Sequence, residues 1–139
     1  MIMGLNHITL AVRDVEESCA FYADVLRCRL AARWVGGAYL VAGDVWIALV
    51  LDPLTRRASL PEYTHIAFSV DEHEFPVVSR RIRDAGARIW QDNESEGASL
   101  YFEDPNGHKL EVHVGDLASR LVNARQNAWP GLVILEPEA

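Results

Sequence analysis

The chain carries its own opening twice, and that repeat limits the fold more than any other feature. Asn-His7-Ile-Thr-Leu-Ala-Val-Arg-Asp returns at mid-chain as Thr-His65-Ile-Ala-Phe-Ser-Val-Asp-Glu. Each copy alternates apolar and polar side chains as a half-buried strand does, and each sets a histidine at the strand's opening. A helix follows each copy. Asp14 with Glu17 three residues on has the capping-box pattern and leads into Cys19, Tyr22, Val25 and Leu26. The second helix is predicted to begin near Glu74 with Pro76 in its first turn. Phe75, Val78 and Ile82 share one face, and Gly86 is placed for a left-handed C-terminal cap.

Strand-rich stretches come next: Arg29 to Trp34, Ala38 to Val41 and Val45 to Leu51 in the first half, Arg88 to Gln91, Ser99 to Glu103 and Lys109 to Val114 in the second. Gly36-Gly37, Gly43-Asp44 and Asp104-Pro105-Asn106-Gly107 supply the turns. The order is βαβββ twice, an α+β chain read as a single domain over 1–139. Module one occupies about 1–60 and module two about 61–115. A helical piece from Leu117 to Ala124 and a Pro-containing tail fill 116–139, and Asp52 to Tyr63 links the modules.

Composition narrows the function classes. Half of the 139 residues are hydrophobic, enough for a real core, and mean hydropathy is near zero. No apolar run approaches the ~20 residues of a membrane helix, and the opening Met-Ile-Met-Gly-Leu-Asn lacks the basic start of a signal peptide. The cytoplasm is the expected compartment. A formal net charge of −7 argues against nucleic acid, and the one dense basic stretch, Arg80, Arg81 and Arg83, reads as a solvated helix face. Cys19 and Cys28 read as reduced thiols without a catalytic role, Cys19 as a small buried hydrophobe.

Chemistry concentrates on three residues. His7 and His65 open equivalent strands. Glu111 lies in Lys109-Leu-Glu-Val-His-Val on the face shared with Lys109 and His113, opposite Leu110 and Val112. If the modules curl into a cleft, two imidazoles and one carboxylate converge on a metal ion and leave coordination positions open for a substrate oxygen. His113 and His108 are rival ligands; His108 is expected in a solvent-facing turn, His113 beside the ligands or at an interface, and His73 on the surface. Asn93-Glu-Ser95-Glu96-Gly97-Ala-Ser99 is an oxygen-rich loop suited to a hard monovalent cation or to an anion pocket built from backbone N–H groups.

From about Leu5 to Arg125 the chain resembles the fosfomycin-resistance glutathione transferases of the vicinal oxygen chelate (glyoxalase–bleomycin resistance) superfamily. The resemblance lies in Gly4-Leu-Asn-His7-Ile-Thr9-Leu-Ala-Val, Phe21-Tyr22, Ala32-Arg-Trp34, Gly37-Ala-Tyr39-Leu, Gly43-Asp-Val-Trp46 and Tyr63-Thr-His65. It continues in Ser95-Glu-Gly-Ala-Ser99, Tyr101-Phe, Asp104-Pro-Asn-Gly-His-Lys-Leu-Glu111 and Gly115-Asp-Leu-Ala-Ser-Arg120-Leu. It implies Mn²⁺ on His7, His65 and Glu111, and a homodimer that exchanges modules, so that each site takes His7 from one subunit and the other ligands from its partner. Asn93, Ser95, Glu96, Gly97 and Ser99 match a potassium-binding loop. The implied reaction is addition of a thiol, glutathione by default, to the epoxide of fosfomycin. Thr9, Tyr39 and Arg120 would serve the reaction directly. Thr9, Ser95, Ser99, Tyr101 and Arg120 would hold the substrate, and Trp34, Tyr39 and Trp46 would line the pocket and the thiol approach.

The departures are specific. Gln91 stands where the family has a lysine, and Glu94 where it has lysine or arginine, which removes two positive groups beside an anionic substrate. An exposed cation-to-anion exchange of this kind is worth about 1 kcal/mol. Polar residues expected near Gly36 and Val50 for glutathione are absent. A hydratase relative uses a glutamate in the middle of module one, where Asp44 is the only carboxylate here. Two other readings remain: a metalloenzyme of the same superfamily with a different small anionic substrate, and a non-catalytic drug-binding dimer.

Overall fold

Strand β1 (His7–Val12) follows its alternation: Leu10 and Val12 are buried, while His7 and Thr9 stand exposed on the other face. In the computed structural model, which describes residues 1–138, module one continues with α1 (Val15–Ala20), a π-helical turn (Phe21–Val25), β2 (Arg29–Trp34), β3 (Gly37–Ala42) and β4 (Val45–Leu51). Module two runs β5 (Ile66–Ser69), α2 (Phe75–Asp84), β6 (Ile89–Gln91), β7 (Ser99–Glu103) and β8 (Lys109–His113), and α3 (Leu117–Gln126) follows. Each module forms a four-stranded sheet, in the orders β1-β4-β3-β2 and β5-β8-β7-β6. The first strand pairs parallel to the last in both. No helix among the described residues is long and apolar enough to cross a membrane.

Helices α1 and α2 begin where their sequences predict, α1 with the Asp14 half of its capping box, and they end in two different ways. Asp14 accepts from Glu17 N at 3.0 Å, satisfying one of the free donors of the first turn. Helix α2 ends on Gly86, whose φ of 80° suits a residue without Cβ, and Ala87 N donates to Ile82 O across it. Helix α1 instead widens into the π turn, closed by Leu26 N to Phe21 O at 3.1 Å. The chain then reverses through Arg27 at φ 62°, with Cys28 N donating to Tyr22 O at 2.9 Å. Nothing in Phe21-Tyr-Ala-Asp-Val marks the extra residue, and no glycine marks the end.

Both modules contribute to one core. Leu10, Val12, Tyr22, Leu40, Ile47 and Leu49 pack in one cluster with Ile82, Leu100, Phe102, Leu110 and Val112. Phe21 bridges them, with its ring 5.5 Å from Tyr22 and 6.2 Å from Phe102. Arg81 Nε donates to Val25 O at 2.8 Å and ties α2 to the π turn. Full burial of side chains such as Phe102 and Leu110 stabilises by about 1.5–3 kcal/mol each.

A buried polar clasp joins the modules behind the sheets and corrects one expectation. The Asp104–His108 segment does turn, with Gly107 N donating to Asp104 O at 3.1 Å, yet His108 is only 8% exposed rather than solvent-facing. Its Nε2 donates to Ala11 O of β1 at 2.8 Å. Asp104 accepts from Tyr22 Oη at 2.8 Å and from the backbone of Asn106 and His108. Asn106 accepts from Arg13 N and donates to Ser18 Oγ at 3.0 Å. These polar side chains are inside because each finds its partner in module one. Gly107, at φ 90°, lies against the linker, where a Cβ would come within 2.7 Å of the Ala58 and Ser59 backbone.

Candidate metal centre and substrate cleft

Strand register decides which side chains meet. In sheet one, His7 pairs with Trp46 and Thr9 with Ala48, while Tyr39 also faces Ala48 and Trp34 faces Gly37. His7, Thr9, Trp34, Tyr39 and Trp46 therefore share one face. The His7 ring stacks on Trp46 at 4.1 Å and its Nδ1 is 2.6 Å from Asn6 Oδ1. Tyr39 packs edge-on against both Trp46 and Trp34 at 4.8 Å. This aromatic row is half exposed and contains no carboxylate.

Sheet two brings together His65 and Glu111. Ala67 and Tyr101 both pair with Glu111, which puts His65, two residues before Ala67, on the same face. His65 Nε2 lies 3.0 Å from Glu111 Oε1, and Glu111 is 5% exposed. His65 Nδ1 is 2.9 Å from Tyr63 O, and because a carbonyl can only accept, Nδ1 carries the hydrogen. Nε2 then turns its lone pair toward the carboxylate. Two electron-rich atoms at this distance need a cation between them, either a proton or a metal ion, and the imidazole–carboxylate pair suits a divalent one. The other carboxylate oxygen, Oε2, accepts from Ser99 Oγ at 2.6 Å.

Aromatic rings brace the pair. Trp90 contacts His65, Tyr63 and Tyr101 edge-on at 5.2, 5.7 and 5.1 Å, and its indole N–H is shared between Phe102 O and Leu110 O. Lys109 Nζ sits 5.1 Å over the Trp90 ring and donates to Glu62 O. Tyr63 and Trp90 were not singled out as site residues from the sequence. Tyr63 was readable there, since it lies two residues before His65 and so shares its face.

Beside the pair lies a cleft of about 560 Å³ lined by Tyr63, Gln91, Asp92, Glu94, Ser95 and Tyr101. Gln91 and Glu94, where the resemblance leads one to expect cations, both line it. Gln91 Nε2 donates to Tyr63 Oη at 2.7 Å. Asp92 and Glu94 give the wall two carboxylates, and no lysine or arginine lines it.

The 93–99 loop is closed on itself. Asn93 Oδ1 accepts from both Ser95 N and Ser95 Oγ, and Asn93 Nδ2 donates to Gly97 O at 2.8 Å. As a monovalent-cation cradle it fits in part: Gly97 O keeps a lone pair, whereas Asn93 Oδ1 would have to release Ser95. Arg120, on α3, reaches Glu96 Oε2 at 3.4 Å, and Ser95 Oγ is 3.5 Å from Tyr101 Oη. Of the predicted site residues, those of sheet two and this loop adjoin one another. His7 is held by Asn6 and Trp46, and among the described residues no group of three His, Cys, Asp or Glu side chains within one chain is arranged to hold a metal ion. The cysteines lie apart from this chemistry: Cys19 is buried, and burial raises the Cys28 thiol to about 11, keeping it protonated near neutrality.

Comparison with known proteins identifies the family. Over the full length of both chains the sequence is 48% identical to the glutathione transferase FosA of Serratia marcescens. It is 37% identical to the metallothiol transferase FosB of Shouchella clausii, covering 99% of this chain and 98% of that one. The fosfomycin resistance protein FosX of Listeria monocytogenes, crystallised as a variant with Mn(II) and dihydroxypropylphosphonic acid, superimposes with a TM-score of 0.74 at 27% identity, over 88% of this chain and 99% of that one. Residues 4–112 match the Glyoxalase/Bleomycin resistance protein/Dioxygenase superfamily, and the chain belongs to that superfamily, in the branch of the FosA and FosB transferases.

Proposed function

We propose that this chain is a metal-dependent enzyme that inactivates fosfomycin by adding a thiol across its epoxide. The observation that carries the reading is the His65–Glu111 pair, which directs an imidazole lone pair and a carboxylate at one point 3.0 Å across, beside an open cleft. The names of the relatives support the substrate and the transferase class, and the Mn(II) in the FosX crystals supports the choice of ion.

His65 and Glu111 would hold a divalent ion such as Mn²⁺ together with His7 of the partner subunit. The exposed face of His7 and Thr9, and the half-exposed Trp34 and Tyr39 beside them, support a homodimer in which module one of one chain covers module two of the other. Bound there, the ion supplies Lewis-acid stabilisation of negative charge on the epoxide oxygen. In the reaction a thiolate sulfur bonds to an epoxide carbon as that C–O bond breaks, and the freed oxygen takes up a proton. Thr9 donates a hydrogen bond to the substrate, and Ser95, Tyr101 and Arg120 hold the phosphonate, joined by Ser99 only when its hydroxyl turns from Glu111. Arg120 has to exchange Glu96 for the substrate to do so. Trp34, Tyr39 and Trp46 form an apolar wall along which the thiol approaches. A K⁺ ion in the 93–99 loop, with Ser95, Glu96, Gly97 and Ser99 around it once Asn93 has turned, would offset the phosphonate's charge.

Glutathione is the default donor, although Gln91, Glu94 and Asp92 leave the cleft poor in positive charge. The test is adduct formation from fosfomycin and Mn²⁺ with glutathione, cysteine or bacillithiol, with and without K⁺. Turnover with at least one donor that disappears in His65→Ala is expected. Equal rates in the enzyme and in His65→Ala with every donor would overturn the reading.

A further inference from the structure

One half-buried histidine has no part in the reaction described above, yet it is joined to the carboxylate at its centre. His113 lies one turn of the pleat beyond Glu111 on β8, directly opposite Ser99 of β7. Its Nδ1 is 2.6 Å from Ser99 Oγ, which is in turn 2.6 Å from Glu111 Oε2, whereas the direct path from Nδ1 to Oε2 is longer, at 3.4 Å. A serine hydroxyl has one hydrogen. With Glu111 as a carboxylate, that hydrogen goes to Oε2, so Ser99 Oγ can only accept from the imidazole and Nδ1 must carry the proton. The chain of donors then runs one way, from His113 through Ser99 to Glu111.

The imidazole is also clamped. Its far edge lies against Gly97 (φ 80°) and Gly115 (φ 117°). A Cβ on Gly97 would come within 3.0 Å of the ring carbon Cε1 and 2.5 Å of Val114 O, and one on Gly115 within 3.4 Å of Nε2. Two backbone positions without side chains thus make room for the ring and fix its plane, and its side chain is 13% exposed.

We propose that His113 is a positioning residue: through Ser99 it holds Oε2 of Glu111, so that Oε1 stays turned toward His65 and the ion they would share. This rests on the reading of Glu111 as a metal ligand. Partners of this outer kind typically change metal affinity about 10–100-fold when removed. Ser99 is therefore shared between the carboxylate and the substrate loop it ends, which joins ligand geometry to loop position.

Two measurements on the full chain test this. In the metal-free protein, ¹⁵N imidazole shifts are expected to show His113 carrying a hydrogen on Nδ1, and Ser99→Ala is expected to move the Nδ1 resonance as that hydrogen loses its acceptor at 2.6 Å. The opposite tautomer, or no response to Ser99→Ala, would overturn the proposal whether or not metal binds. In Mn(II) titrations followed by electron paramagnetic resonance, His113→Leu, which fills the space without a donor, should bind about 10–100-fold more weakly. His113→Asn, which keeps an N–H near the place of Nδ1, should recover most of the affinity. Wild-type affinity in a folded His113→Leu, or equal losses in both variants, would contradict a hydrogen-bonding role. If the wild-type chain itself takes up no Mn(II), the metal reading fails, and the imidazole shifts alone decide the His113–Ser99–Glu111 chain.

Discussion

Set in register, the two modules have nearly the same backbone and opposite chemistry on one face. Tyr39 faces Ala48 in sheet one as Tyr101 faces Glu111 in sheet two, and Gly37 faces Val50 as Ser99 faces His113. Ala48, Gly37 and Val50 are thus the positional equivalents of Glu111, Ser99 and His113. A buried carboxylate is costly alone, and on this face module two places Glu111 where a hydroxyl, an imidazole and His65 surround it. Module one, without those supports, keeps its histidine against an aromatic row. The duplication provides the scaffold twice, and the polar support on one copy decides where an acid can stand.

The largest expected effect comes from making module two resemble module one. Glu111→Ala, which copies Ala48, should lower Mn(II) affinity by more than the ~100-fold upper range of an outer partner, because it removes a proposed ligand itself. Retained affinity in the titration would mean that the modules do not differ in the way described. Next is the clasp that makes them one body. Asn106→Ala strands Ser18 Oγ and Arg13 N, and should lower unfolding free energy by about 2–4 kcal/mol in urea melts. A loss under 1 kcal/mol would indicate that the shared apolar core suffices.

A smaller change sharpens the contrast in charge. Gln91→Lys with Glu94→Arg restores two cations to the cleft of module two and should raise kcat/KM for fosfomycin about tenfold. No change would show that these side chains do not face the bound substrate. The smallest effect compares the helix ends, Arg27 at φ 62° in module one and Gly86 at φ 80° in module two. Arg27→Gly should stabilise by about 0.5 kcal/mol, since relief of left-handed strain outweighs the added freedom of the unfolded chain. Gly86→Ala should act in the opposite direction.

Much of this was legible in the residues because periodicity and repetition are local. The strands from Arg29 to Trp34, Val45 to Leu51 and Ser99 to Glu103 have the predicted bounds, and the face of Glu111 follows from alternation alone. The π turn was not legible, because an inserted residue leaves the helical apolar pattern readable and Arg27 carries no glycine signal. His108 was misplaced because a polar turn between strands reads as solvent-facing, and only the opposing β1 carbonyl explains its burial. The sequence likewise left open whether His113 stood beside the ligands or at an interface, since its bond to Ser99 depends on cross-strand register. The hydrogen-bonded closure of the 93–99 loop is equally a property of geometry that composition does not carry.

The central claim, that His7 of one subunit completes a centre begun by His65 and Glu111 of the other, can be tested by complementation. His7→Ala and Glu111→Ala are purified separately, each expected to bind no Mn(II) tightly, then unfolded together and refolded as a mixture. Random pairing should restore tight binding at about one site in four, because only mixed dimers unite an intact His7 with an intact Glu111. A mixture that binds no more Mn(II) than its two components would contradict a centre shared between subunits.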